Sequence, residues 1–227
     1  MKNYRIAMIK HGTPEGADEG RYIGSTDIPL SKEGIEELKD LTSLYDYTKA
    51  QKVYSSPLKR AVQTAEILYP NTFIKTIDGL KEYDFGIFEN RSIDDLLNDP
   101  LYKSWLAENM KEPPRGGESK EQFANRIVFG FNNILMDMMK NQIFSAALIG
   151  HAVVMSAIAS QFALPKRSPI QWKWQSGRGY LFLTSTQQWT RDNMLELAAE
   201  IPYSEDASYS QGYYWLDYPQ TESSSDR

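Results

Sequence analysis

Cysteine is absent from the 227 residues. That excludes disulfides, thiolate nucleophiles and cysteine-built metal sites. Histidine is almost as scarce: the chain has 2, His11 and His151. They form no His-x-His or His-Glu-x-x-His spacing, so no metal is expected. A surplus of positive charge is lacking as well. Lys plus Arg is 25 and Asp plus Glu is 30, a net charge of −5, which argues against a nucleic-acid surface. Long apolar runs are few. Met1–Lys10 carries only Ile6–Ile9, shorter than a secretory core of about 7–15 residues. Gln142–Pro165 has no charged residue and passes a length filter of about 18 residues for a membrane span. Gly150-His151 splits it, however, and Ser145, Ser156, Ser160 and Gln161 interrupt it. It reads as a buried strand followed by a buried helix. The expected location is cytoplasmic, in a reducing compartment, with no membrane partner.

What is present suits a globular α/β chain. Apolar residues make up 41%, and the length reads as one large domain, or one with an insertion, at about 150 residues per domain. Tyr4–Lys10 is apolar on both faces, as in a parallel sheet. A polar, Gly-rich loop follows from Gly12 to Thr26. Ser31 starts a helix with Ile35, Leu38, Leu41 and Tyr45 on one face. Gln51–Tyr54 reads as a strand, and Ser56-Pro57 as a cap and first residue of the next helix. Phe73–Ile77 is another strand. Ser92–Met110 suggests two short helices broken at Pro100. Ser119 and Gln122 form a capping box before a long helix carrying Phe123, Ile127, Phe131, Ile134 and Met138. Phe144–Ile149 is a strand and Ala152–Phe162 a helix. Trp172–Trp174, Tyr180–Leu183 and Met194–Leu197 read as further strands.

Strands alternating with helices predict a three-layer sandwich, a mostly parallel central sheet with helices on both faces. Residues 1–201 would form the domain, with an insertion at about 83–118. Residues 202–227 would be a Tyr-rich, acidic extension whose end, 221–227, is expected to be disordered.

Three polar motifs follow strands: His11-Gly12, Ser55-Ser56-Pro57 with Arg60, and Gly150-His151. In open α/β sheets ligands bind beyond the carboxyl ends of strands, so both histidines and a cation should converge on one rim. Two imidazoles with cations suit an anionic group such as phosphate. A neutral imidazole is a competent nucleophile towards phosphorus. Arg60 offers a planar fork of donors, and its place in the first turn of a helix adds free N–H groups. Lys10 adds a second charge. A proton donor is also needed, and Glu82 is the candidate, with Asp84 and Glu89 as neighbouring alternatives.

These segments resemble the histidine phosphatase superfamily, the phosphoglycerate mutase-like family. Ile9-Lys10-His11-Gly12 is similar to its Arg-His-Gly signature. Gly24–Gly34 resembles its following loop and helix start, and Ser55–Ala65 its second signature. Leu80–Glu89 resembles the segment that carries its acid, and Gly116-Gly117-Glu118-Ser119 and Gly150-His151 the later ones. The resemblance spans residues 4 to about 160. It implies His11 as the nucleophile that becomes phosphohistidine and Glu82 as the group that protonates the leaving oxygen. It implies Arg60 and His151 as holders of the phosphoryl oxygens, and neither metal nor cofactor; Lys10 joins the phosphate-binding set by its charge, and Thr13, Arg21 and Gly24 are candidate substrate contacts. The small phosphatases, ribazole phosphatases among them, look most similar. The expected partner is a small phosphorylated substrate; a homodimer is left open. The chain departs from the pattern at Lys10, where the family has Arg, at Thr13, where an acid is common, near Ala17, where an Asn is frequent, and at Ala152-Val153 after the second His. Phosphomonoester hydrolysis is the expected activity. The alternatives are a mutase of the phosphoglycerate type, or a phospho-ligand-binding protein weakened by Lys10.

Overall fold

The computed structural model describes residues 3–108 and 110–203. The chain begins with strand β1 (Asn3–Lys10), then helix α1 (Lys32–Leu44), β2 (Lys52–Ser55), α2 (Lys59–Leu68) and β3 (Ile74–Thr76). Two short helices, α3 (Ile93–Leu97) and α4 (Pro100–Ala107), precede the long α5 (Lys120–Lys140). Then come β4 (Ser145–Gly150), α6 (Ala152–Phe162), β5 (Ala163–Leu164), β6 (Gly179–Ser185), α7 (Thr186–Asp192) and β7 (Leu195–Ile201). The strands form one sheet in the order β3-β2-β4-β1-β6-β7-β5. The β3, β2, β4 and β1 pairings are parallel, and β6 runs antiparallel to both β1 and β7.

Alternation along the central strands builds the two cores. Ile6 and Met8 of β1 face a cluster with α5, α6 and Trp189 of α7, while Ala7 and Ile9 face α1 and α2. A strand segment buried on both sides must be apolar, as Ile6–Ile9 of β1 and Ala146–Ile149 of β4 are. Each fully buried Ile, Leu or Met adds about 1.5–3 kcal/mol, so this double burial fixes the register of β1 and β4. The charge-free run around Gly150 is strand β4 followed by helix α6, and no described helix is long and apolar enough to cross a membrane.

Local signals act as the sequence indicates at two helix starts. Ser31 accepts from Gly34 N–H, and Ser119 with Gln122 closes a capping box. Residues 83–118 hold α3 and α4 around a small cluster of Phe88, Leu96, Tyr102 and Trp105. Two expectations are corrected. Helix α2 starts at Lys59 with Leu58 as its cap; the Ser56 hydroxyl pairs with His151 at 2.8 Å and accepts only a long 3.4 Å bond from Leu58 N–H, ahead of the helix. Residues 172–174 form no strand. The Lys173 N–H and C=O are satisfied by the Tyr180 hydroxyl, each at 3.1 Å, so no neighbouring strand is needed. Tyr203 bridges Asp46; the rest of the Tyr-rich extension lies outside the described residues.

Candidate active site

The sheet order assembles the site. β4 lies between β2 and β1, all three parallel, so their carboxyl ends share one edge. The ladder runs one residue past β1 and β2, onto carbonyls of β4. His11 N–H donates to Gly150 O and Ser56 N–H donates to Ile149 O, both at 2.9 Å. The residues after β1, β2 and β4 are therefore held side by side by backbone. The His11 and His151 rings meet edge-on with centroids 4.9 Å apart.

His11 is buried. Its Nδ1 lies 2.6 Å from Gly12 O, so Nδ1 carries the proton and Nε2 keeps its lone pair. Burial first, then the Arg60 and Lys10 charges, push its pKa down to about 3, although the Gly12 carbonyl opposes this. His11 is thus neutral across physiological pH. His151 is fully buried, and its pKa is well below the usual value from burial and then the charges around it. Its Nε2 pairs with Ser56 Oγ and its Nδ1 has no protein partner.

Arg60 is 1% exposed. Its two terminal nitrogens donate to loop carbonyls, to Thr26 O at 2.8 Å and Gly24 O at 2.7 Å. Its Nε has no protein partner. A buried N–H left open is rare in folded proteins. Two of its five N–H donors are therefore turned on the loop, and Nε is the nitrogen left with no protein partner. Glu89 holds the other side of that loop. Its carboxylate accepts from the backbone N–H of Gly24, Ser25 and Thr26 at 3.2, 2.8 and 3.2 Å, from Phe85 N–H at 3.0 Å, and from the Thr26 hydroxyl. Only glycine fits at position 24, since a Cβ there would lie 2.0 Å from Tyr83 O.

Among the carboxylates of the 82–89 segment, Glu82 stands apart. It is buried, and burial raises its pKa to about 7, against the lowering pull of the Tyr83 and Val153 N–H groups, Arg60 and Arg126. Asp84 instead accepts from Gly86 N–H at 2.9 Å. Arg126 of α5 holds the segment in place. It donates to Gly79 O, Lys81 O and Glu82 O at 3.1, 2.7 and 2.9 Å, and makes a two-pronged pair with Glu118 at 2.8 and 2.5 Å. A hollow of about 570 Å³, lined by Ser25, Ile77, Glu82, Glu118, Arg126 and Asn133 among others, reaches Glu82 but neither histidine.

Lys10 is partly buried, which lowers its pKa while Glu37 and Glu82 oppose the shift. Its Nζ lies 3.4 Å from Ser176 Oγ, which also meets the Thr13 hydroxyl at 3.1 Å. The structure thus brings together Lys10, His11, Arg60, Glu82 and His151, with Gly24 beside Arg60 and Thr13 linked to Lys10 through Ser176. Arg21 is elsewhere, exposed and engaged by Glu19 and Asn90 O. Sequence reasoning missed the roles of Ser56, Glu89, Glu118 and Arg126. Glu118 did stand in one of the motif segments, but nothing in the spacing marks a helix residue that holds loop carbonyls. Among the described residues no cluster of three or more histidine and carboxylate side chains is placed to hold a metal ion.

Comparison with known proteins agrees with this geometry. The family model of the histidine phosphatase superfamily (branch 1) matches residues 6–192. The adenosylcobalamin/α-ribazole phosphatase of Escherichia coli (strain K12) is 29% identical over 127 residues, 54% of this chain and 63% of that protein. The chain therefore matches less than two thirds of that relative's length. Phosphoserine phosphatase 1 of Hydrogenobacter thermophilus is 27% identical over 158 residues, 68% of this chain and 74% of the relative. The crystal structure of phosphoglycerate mutase from Bacillus anthracis str. Sterne superposes with a TM-score of 0.69 at 17% identity, over 93% of this chain and 97% of that one. That likeness concerns the fold.

Proposed function

The chain belongs to the histidine phosphatase superfamily, and from that premise we propose that it hydrolyses phosphomonoesters of small metabolites through a phosphohistidine at His11. One observation carries the reading. A neutral imidazole with a free Nε2 sits beside two buried nitrogens without protein partners, Arg60 Nε and His151 Nδ1. Buried donors and acceptors without partners cost about 1–3 kcal/mol each, and a phosphoryl group would satisfy them.

The steps follow from the groups present. His11 Nε2 attacks phosphorus; the P–N bond forms and the bond to the leaving oxygen breaks. That oxygen takes the proton of Glu82, which a pKa near 7 keeps available at neutral pH. Glu82, now a carboxylate, takes a proton from water as the water attacks phosphorus. The P–N bond breaks and inorganic phosphate leaves, with His11 and Glu82 restored. Arg60 and Lys10 balance the charge on the phosphoryl oxygens, the main requirement of such transfers, and neutral His151 adds a hydrogen bond from Nδ1–H. Lys10 gives a point charge where a guanidinium would give a fork.

The test is phosphate release from a panel of phosphomonoesters by wild type and His11→Ala, with trapping of an acid-labile phosphoenzyme. Turnover and trapping that both vanish in His11→Ala support the reading. Isomerisation of phosphoglycerate without net phosphate release identifies a mutase. Binding of phosphate without any turnover identifies a ligand-binding protein.

A further inference from the structure

Glu82 lines one hollow and is linked through Val153 to a second that differs from it in charge. The one of about 570 Å³ is lined by four carboxylates, Asp78, Glu82, Asp84 and Glu118. Its cations are already paired, Lys81 with Asp78 at 3.1 Å and Arg126 with Glu118. The second, of about 690 Å³, meets the site at Val153, whose backbone N–H donates to Glu82. Its lining includes Val153, Ala157, Ile170, Trp172, Lys173 and Trp174, and no carboxylate.

The second hollow has a fixed aromatic wall. Trp174 donates its indole N–H to Ser156 Oγ at 2.9 Å, meets Tyr180 edge-on at 4.9 Å, and stacks on Trp172 at 6.5 Å. At the mouth Ile170 is 81% exposed and Val153 49% exposed. Both line the hollow, so its apolar surface continues out to solvent.

We infer that this second hollow receives the leaving group, and that the leaving group is a neutral alcohol bearing a ring. The inference rests on the phosphatase reading. The oxygen leaving phosphorus must lie within reach of Glu82, so its carbon substituent continues into a space that adjoins Glu82. The carboxylate-lined hollow repels an acidic alcohol, and its one ring, Phe129 of α5, is 69% exposed and meets no other ring among the described residues, so it is less fixed than the Trp174 wall. The other offers Trp174 as a flat, pre-positioned face and Val153 and Ile170 as apolar edges. A carboxylate entering there meets one cation, the exposed Lys173.

The test uses 1-naphthyl phosphate, ethyl phosphate and 3-phosphoglycerate, in turnover and in isothermal titration with His11→Ala. The expected order of affinity, read by titration with His11→Ala where leaving-group chemistry plays no part, puts 1-naphthyl phosphate about tenfold or more above both others, the size of one good aromatic contact. Trp174→Ala should cut the naphthyl-to-ethyl ratio about tenfold. Ile170→Asp tests the same surface at an exposed position that folding does not depend on. It should cut that ratio and weaken naphthyl binding in titration. Turnover of the panel with 3-phosphoglycerate preferred, or with the ratio unchanged in both variants, overturns the inference and leaves the phosphatase reading standing. No turnover in wild type removes the phosphatase reading. The naphthyl-over-ethyl preference in titration, and its loss in Ile170→Asp, then decides the hollow on its own.

Discussion

The two sides of the site are built by different means. The floor (His11, Ser56 and His151) is set by sheet register: each residue directly follows a parallel strand, and the N–H groups of His11 and Ser56 are pinned by carbonyls of β4. The wall (residues 79–89) has no sheet behind it. Its shape comes from side chains bonding backbone, Arg126 on three carbonyls and Glu89 on four amide groups. A floor built from strands can lose a functional group and keep its shape. A wall built from side chains can lose its shape through a residue that never meets substrate.

Four variants sharpen that contrast, in descending order of effect. His11→Ala should lower kcat by on the order of 10⁴-fold or more, by removing the nucleophile, and keep a wild-type circular dichroism spectrum. Full activity in that variant would end the phosphohistidine mechanism. Glu82→Gln comes next, with a loss of about 10²–10³-fold on ethyl phosphate. On a nitrophenyl ester, whose leaving oxygen needs little protonation, the loss should be under about tenfold. An equal loss on both esters would deny Glu82 its role as acid. The wild-type pH profile should carry the same signature. The first step needs protonated Glu82, so kcat/KM should fall as pH rises through about 7, while His11, at about 3, stays neutral throughout.

Arg126→Met tests the wall from a distance. It strips three carbonyls of a donor and leaves Glu118 without its cation. The expected cost is about 1–3 kcal/mol of stability by denaturant titration and about tenfold in kcat. Its distinguishing sign lies in the pH profile. Removing a positive charge near Glu82 raises that carboxyl further, so the descending limb should move above 7. A variant that is merely less stable would leave the limb in place. Lys10→Arg should have the smallest effect, a gain of about two- to fivefold in kcat/KM as a fork replaces a point charge. A large loss would mean that this chain has tuned the position to lysine.

The same contrast explains what could be read from the sequence. The floor was legible: an apolar run ending in His11, another ending in His151, and a motif after β2 place three groups on one rim by topology alone. The caps Ser31 and Ser119 were legible because their partners are three residues away. Ser56 looked like a helix cap because local rules weigh the nearest N–H groups; it keeps only a long contact of that kind, with Leu58 N–H, and its shorter bond goes to a residue 95 positions away in sequence. Trp172–Trp174 alternates like a strand, but a tyrosine hydroxyl meets its backbone. The engagement of Arg60 by Gly24 and Thr26, and of the 79–82 carbonyls by Arg126, leaves no periodic trace. Such contacts join a side chain to backbone, and backbone is the same at every position.

One peptide group at the junction of floor and wall carries a consequence of its own. The unit joining Gly24 to Ser25 gives its C=O to Arg60 and its N–H to Glu89. A cation and an anion that do not touch are thus coupled through a single polarised amide, which acts as a spacer in a longer ion pair. Arg60 is neutralised at one remove, with its guanidinium plane fixed and its Nε face left uncovered. Deleting the Glu89 charge would therefore be felt at Arg60 as a loosened aim, and a small carboxylate such as formate, seated on the vacated amides, would restore it.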